Sequence, residues 1–388
     1  MKKRRPLSCG GGGKGPPDGH ARQKNYDKAA FSGVAVLTGT AAFLGEHRIR
    51  VTYGDGSSEE LTADRFFLNT GSRPFLPPIA GLKESAFAYT SEALMARRVL
   101  PRRLAIIGGG YIGLEFSSHF ANFGSQVTVI QDWEQFIPRE DAEVARSVLE
   151  SLTARGVQMR MGAAIQSVRD EGDCAVLTLR TTAGAEELEA DAILVAAGRR
   201  PNGKELNLPA AGVELTDRGA VKVDEHLRTS APHIWAMGDV AGGLQFTCIS
   251  PDDFRIIKPQ LLGDGRRTTQ NRGEAPYTVF LDPPLSRVGL SEQEALERRY
   301  EVKVARLPAG AIPKAHVLRR PTGLLKAVVD ARTGLILGAH FFCAESQGMI
   351  NLIKLCMDAK LPYATLRDGI FNHPTMSEAL NDLFGALK

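Results

Sequence analysis

The chain has 388 residues, 43% of them hydrophobic and 24% charged, which excludes a wholly disordered or fibrous protein and leaves room for about two or three domains. Its formal net charge of +4 is small, and Lys2, Lys3, Arg4 and Arg5 alone amount to that excess, so charge gives no ground for a nucleic-acid partner. No apolar run approaches the ~18 residues of a membrane helix, and no apolar stretch follows the basic start; the sequence predicts a cytoplasmic protein with no contact with membranes.

Residues 1–24 are rich in Gly, Pro, Lys and Arg and are expected to be a disordered tail. Lys14 is followed by Gly15 rather than Ser or Thr, and no apolar strand precedes the glycine run, so this is not a phosphate loop. Residues 35–68 read as short strands separated by turns at Gly45, Gly54 and Gly56. Asn69-Thr70-Gly71-Ser72-Arg73-Pro74 then opens an exposed connection. Residues 104–130 read as strand, helix, strand. Leu104-Ala105-Ile106-Ile107 is a buried strand, Ile112, Phe116, Phe120 and Phe123 recur at helical spacing, and Val127-Thr128-Val129-Ile130 is the next strand. A helix over 141–154, strands near 157–161 and 175–180, and a buried strand over 192–197 continue the alternation. The class predicted is α/β, with doubly wound, Rossmann-like parallel sheets. From about Tyr277 strands, a hairpin around Arg332-Thr333-Gly334 and two closing helices indicate a separate α+β domain.

Gly108-Gly109-Gly110-Tyr111-Ile112-Gly113 fits G-x-G-x-x-G between a strand and a helix, the context that a dinucleotide turn requires. Gly108 permits the tight turn, Gly110 lets a pyrophosphate approach the backbone, and Gly113 lets the helix pack on the strand. The helix N-terminus supplies N–H groups and a positive dipole end. A turn with no ligand is the alternative. At the end of the second strand, Gln131 or Asp132 can accept a ribose 2′-hydroxyl, though Asp132 also reads as a solvated loop acid. No arginine cluster follows to hold a 2′-phosphate, which favours NADH over NADPH without deciding it. Gly238-Asp239 ends a short strand; Asp239 is placed for a sugar or ribityl hydroxyl, or equally is a turn aspartate. Glu378 follows His373 by five residues across a helix start, so its carboxylate can fix the imidazole tautomer for proton transfer; helix-start chemistry is the other reading. Cys9, Cys174, Cys248, Cys343 and Cys356 are far apart, which suggests a reducing compartment and no metal site.

In this order the motifs resemble the class I pyridine nucleotide-disulfide oxidoreductases, including glutathione reductase, dihydrolipoamide dehydrogenase and mercuric reductase. The matching stretches are Thr70–Pro74, Gly108–Gly113 with Glu115, Ala197-Gly198-Arg199-Arg200-Pro201-Asn202, Gly238-Asp239, and His373-Pro374 with Glu378. Within the family, the stretches Trp235-Ala236-Met237-Gly238-Asp239-Val240, Gly242-Gly243-Leu244-Gln245-Phe246-Thr247, Pro283-Pro284-Leu285-Ser286-Arg287-Val288-Gly289 and Ser377-Glu378-Ala379-Leu380-Asn381-Asp382-Leu383-Phe384 resemble the reactive-chlorine-resistance branch, described as hypothiocyanous acid reductases. It implies FAD and NAD(P)H as cofactors, a homodimer, and hydride passing from NAD(P)H through FAD to a small oxidant such as hypothiocyanous acid or a disulfide. It also implies dinucleotide contacts at Gly108, Gly110 and Gly113, with Tyr111, Ile112, Thr70, Gly71, Gly198 and Gly238 as further cofactor contacts, Glu115 near the nicotinamide–flavin contact, Asp239 on the FAD ribityl chain, and His373 with Glu378 as acid/base across a dimer interface. The implied domains are a first part of the FAD domain over 25–100, an NAD(P) domain over 101–222, a second FAD part over 223–272 and a dimerisation domain over 273–388.

The sequence departs from the family in two places. The family opens with a glycine-rich unit for the ADP half of FAD and a helix bearing C-x-x-x-x-C; no cysteine here has a partner five residues away. The expectation is a family member that has lost its first ~80 residues, within one small domain's length, or alternatively an inactive nucleotide-binding, dimerising fragment. A mercuric reductase is disfavoured, because the chain ends without a cysteine pair.

Overall fold

A computed structural model describes residues 17–182 and 184–387. The chain divides into two units, 1–73 with 199–271 and 74–198 with 272–388.

The first unit begins with the helix Pro17–Phe31. Disorder was expected over 1–24; residues 1–16 lie outside the described residues, and 17–24 start this helix. Its described side chains are almost all exposed, Phe31 at 96%. Gly39–Gly45, Arg48–Tyr53 and Ser58–Thr62 form an antiparallel meander. Phe66–Leu68 then pairs in parallel with Ile234–Ala236, Leu68 opposite Ala236. Phe43, Leu68, Val221, Ile234 and Val240 are among the residues closing the core. The helix Ile249–Leu262 packs Ile256 and Ile257 against Leu227, Trp235 and Met237.

The second unit contains a five-stranded parallel sheet in the order Ala88–Tyr89, Ala192–Val195, Arg103–Ile107, Gln126–Ile130, Gln158–Arg160. Side chains alternate across a strand. Leu104 and Ile106 therefore pack towards the helices Tyr111–Asn122 and Ala142–Ala154, while Ala105 and Ile107 pack with Val168, Leu177 and Leu179. Those last residues come from a three-stranded antiparallel sheet, Ala164–Glu171, Cys174–Thr181 and Gly184–Ala190. The α/β class and the parallel sheet agree with the sequence, with the second face covered by strands. Phe123, expected on the buried helix face, is 58% exposed, and Leu114 fills the core instead.

Two expected boundaries move. Residues 74–100 lie in the compact unit of the five-stranded sheet, because Ala88–Tyr89 joins that sheet and Leu82 fills its core. Residues 199–222 belong to the first unit, where Leu208, Val213 and Val221 pack with Phe43.

The C-terminal part of the second unit is an antiparallel sheet in the order Tyr277–Val279, Leu285–Gly289, Ile336–Phe342, Leu324–Asp330, Val302–Pro308. The helices Ser346–Asp358 and Ala379–Gly385 accompany it, and Cys343 and Cys356 sit in its apolar core. Among the described residues no helix is long and apolar enough to cross a membrane.

Candidate active site

The candidate site residues fall in three groups. The first is the glycine turn. Gly108 has φ +105, and a Cβ there would lie 2.5 Å from Ala196 O. Gly113 admits no side chain, since a Cβ would lie 2.0 Å from Gly108 O and 3.2 Å from Ile106 Cγ2. Gly110 differs from both. Its φ of −77 is ordinary, and a Cβ would meet nothing within 4 Å. It caps the 12-residue helix Tyr111–Asn122 without a side-chain hydrogen bond. The first N–H groups of a helix have no partner within it, so an uncapped N-terminus with open space before it suits an anionic group. This cradle fits the pyrophosphate of NAD(P)H. The Gln131 carboxamide lies beside the turn: Oε1 stands 2.0 Å from where a Gly109 Cβ would be, and Nε2 donates to Trp133 O and Gln135 O, each at 3.0 Å. Asp132 next to it is exposed. One turn into the helix, Glu115 accepts from Phe280 N at 2.8 Å. Burial pushes the Glu115 carboxyl above its ordinary range, and that hydrogen bond opposes the rise. Gly198, with φ +110, ends the segment after the buried strand Ala192–Val195, and its carbonyl accepts from Phe75 N at 2.9 Å.

The second group is in the first unit. Gly238, φ +67, follows Ile234–Ala236, and its N–H donates to Asp253 at 2.8 Å. Asp239 Oδ2 accepts from Ser72 Oγ at 2.6 Å. Arg199 Nε donates to Ser72 Oγ and its Nη2 to Ser72 O, both at 2.7 Å. Thr70 Oγ1 donates to Asn202 O at 2.7 Å, and Asn202 N to Gly71 O at 2.9 Å. Two segments about 130 residues apart in sequence, as the 132 between Thr70 and Asn202 shows, are thereby laced together. They orient one carboxylate at the end of a parallel strand, which fits a hydroxyl of a flavin's sugar chain. Ser72 and Arg199 lie inside the two motifs but were not singled out from sequence; their side-chain role depends on that long-range pairing.

The third group is His373 Nδ1, 2.7 Å from Glu378 Oε2. A carboxylate only accepts, so Nδ1 carries the proton and Nε2 is left for chemistry. Glu378 Oε1 accepts from Thr375 N at 3.2 Å. The imidazole is 72% exposed and the carboxylate 19%. Among the described residues, no cluster of His, Cys, Asp and Glu could hold a metal ion.

Residues 12–253 match the pyridine nucleotide-disulphide oxidoreductase family, and residues 275–384 match that family's dimerisation domain. The chain belongs to the pyridine nucleotide-disulphide oxidoreductase family. It is 44% identical over 368 residues to the probable pyridine nucleotide-disulfide oxidoreductase RclA of Escherichia coli, covering 95% of this chain and 82% of that protein. A dihydrolipoyl dehydrogenase of Mycobacterium tuberculosis is 33% identical over 91% of this chain and 76% of its own. The solved structure of the HOCl-induced flavoprotein disulfide reductase RclA from Escherichia coli superposes with a TM-score of 0.91 at 43% identity, over 95% of this chain and 83% of that one. As a member of the family, the chain is a flavin-dependent pyridine nucleotide oxidoreductase that uses FAD and NAD(P)H, and it carries the family's dimerisation domain.

Proposed function

We propose that the enzyme passes reducing equivalents from NAD(P)H through FAD to a small oxidant, either a hypothiocyanous-acid-like species or a low-molecular-weight disulfide. The supporting observation is the uncapped helix N-terminus at Gly110, open where a pyrophosphate would approach and tightly packed at Gly108 and Gly113. In this reading the N–H groups of Tyr111 and Ile112 hold the pyrophosphate. Gln131 or Asp132 accepts the ribose hydroxyl, and Glu115 lies near the nicotinamide. Asp239, held by Ser72, accepts from the flavin's sugar chain, with Thr70, Gly71 and Gly238 as further cofactor contacts of the first unit and Gly198 as a cofactor contact of the second. The flavin, when bound, supplies two-electron relay between nucleotide and oxidant. His373, with its Nδ1 proton committed to Glu378, gives or takes a proton at Nε2 as the oxidant's leaving group departs. We place the enzyme in the cytoplasm as a homodimer joined through residues 273–388.

A second reading is favoured by one observation: the sequence contains no cysteine five residues from another. Under it the chain binds nucleotide and dimerises without turnover. The readings separate in an assay of NADH oxidation by the protein supplemented with FAD, with hypothiocyanous acid or a small disulfide as acceptor. Turnover that requires both FAD and acceptor supports the first. Tight NADH binding with no turnover under any acceptor supports the second.

A further inference from the structure

Within the second unit, the dinucleotide helix and the C-terminal sheet meet at a buried polar cluster that the chemistry above does not use. Glu140, just before the helix Ala142–Ala154, is 6% exposed. Its Oε1 accepts from Tyr277 Oη at 2.7 Å and also from Tyr111 Oη. Its Oε2 is buried without a hydrogen-bond partner and lies 3.9 Å from His340 Nδ1, too far for a direct hydrogen bond. His340 is fully buried, and its Nδ1 also lacks a hydrogen-bond partner. Its Nε2 is 3.2 Å from Leu290 O; a carbonyl only accepts, so Nε2 carries a proton.

The cluster is assembled by sheet register. His340 stands directly opposite Arg287 on one neighbouring strand and Lys326 on the other, and directly opposed residues share a face. Arg287 bonds Arg139 O and Glu294, and Lys326 bonds Asp141. Three buried basic side chains in a row thus meet the turn Arg139-Glu140-Asp141. Burial opposes ionisation of Glu140, but His340, the two tyrosine hydroxyls and the Arg287 charge outweigh it. Burial, and after it the Glu140 charge, pushes both tyrosine hydroxyls up, so both remain donors.

Tyr111 is the first residue of the helix that Gly110 caps. Its ring leaves the turn at the point where the pyrophosphate is assigned, and its hydroxyl ends on Glu140. We propose that Glu140 is a positioning residue for the dinucleotide site: it fixes Tyr111, and with it the first helical turn, while Tyr277 of the C-terminal sheet holds Glu140 in place. A first turn fixed before binding does not have to be ordered by the ligand, which raises affinity. The proposal rests on the assignment of the glycine turn to NAD(P)H.

The test is titration of the full chain with NADH, followed by nucleotide fluorescence, for the wild type, E140Q, Y277F, Y111F and the double variant E140Q/Y111F, with melting temperatures measured alongside. E140Q keeps an acceptor oxygen for both tyrosine hydroxyls but loses the charge that strengthens those bonds, and Y277F loses one bond outright; each predicts NADH binding about three- to tenfold weaker. If Glu140 acts through Tyr111, the double variant binds no more weakly than Y111F alone. Unchanged or tighter binding in E140Q, additive losses in the double variant, or lowered melting temperature with unchanged affinity would each overturn the proposal. If E140Q does not fold, Y277F and Y277F/Y111F complete the same cycle. A wild type with no affinity for NADH removes the reading of the glycine turn itself, an outcome distinct from normal wild-type binding with no effect of E140Q.

Discussion

Gly110→Ala and Gly113→Ala separate ligand approach from packing within one turn. Gly110 has an ordinary φ of −77 and open space where a Cβ would sit. Alanine loses some capping preference there, about 1 kcal/mol, and gains about 0.4–1 kcal/mol by restricting the unfolded chain. The two nearly cancel, so the melting temperature should move by no more than about 3 °C. The added methyl, however, occupies the path of the pyrophosphate. Loss of a charge-assisted contact worth about 1.5–3 kcal/mol weakens NADH binding roughly tenfold to over a hundredfold. Gly113→Ala has the opposite signature. Its Cβ would lie 2.0 Å from Gly108 O, and a backbone carbonyl yields only if the turn moves. Overpacking of about 1–3 kcal/mol or more exceeds the helix-propensity gain of about 1 kcal/mol, so Gly113→Ala should lower the melting temperature by several degrees. Thermal melts and NADH fluorescence titrations on both variants provide the assay. A Gly110→Ala protein that binds NADH as the wild type does would refute the assignment of the turn.

Other expectations follow from the buried charges and the thiols. Lys326, 2% exposed, contacts Asp141, Glu143 and Glu292 at 2.7–2.8 Å, so Lys326→Met leaves buried carboxylate without its cation and should cost about 3–5 kcal/mol near neutral pH, read as a denaturant midpoint. For Asp141 and Glu143, burial raises the pKa, but the hydrogen bonds and charge of Lys326 outweigh it and hold both below their ordinary values. Stability from such groups is present above their unfolded pKa values, about 4, and is lost as pH falls through the folded ones; the gap between wild type and Lys326→Met should therefore shrink on acidification below about pH 4, and a constant gap would contradict this account. Burial pushes the Cys343 thiol up to about 12, so iodoacetamide at mildly alkaline pH should label exposed Cys248 before Cys343, as read by mass spectrometry. His373→Gln should slow turnover by about 10²- to 10⁴-fold and Glu378→Gln by less, with NADH affinity retained; undiminished kcat in His373→Gln would remove the acid/base role.

The dinucleotide unit was legible because its signals are local. An apolar strand, glycines at fixed spacing and a helical periodicity all fall within residues 104–130. The C-terminal hairpin was legible for the same reason, strands of Leu324–Asp330 and Ile336–Phe342 flanking a short turn. The helix Ile249–Leu262 was not, because it contains Pro251 and Pro259, which read as breakers. Gly184–Ala190 escaped because GAEELEA is largely polar and only its pairing with Cys174–Thr181 makes it a strand. The site divides in the same way. His373 and Glu378 are five residues apart and their bond was foreseen. Ser72 on Asp239 spans 167 residues, and the Glu140–His340 approach joins residues 200 positions apart, so neither leaves a pattern in the sequence alone.

The most direct test of the central claim is the absorbance spectrum of the purified full chain, recorded anaerobically, after addition of FAD and gel filtration, and then after NADH. The account predicts a flavin band that co-elutes with the protein, weakens in Asp239→Ala, and is bleached by NADH. Protein that elutes colourless after exposure to FAD, or a bound flavin that NADH leaves oxidised, would contradict it.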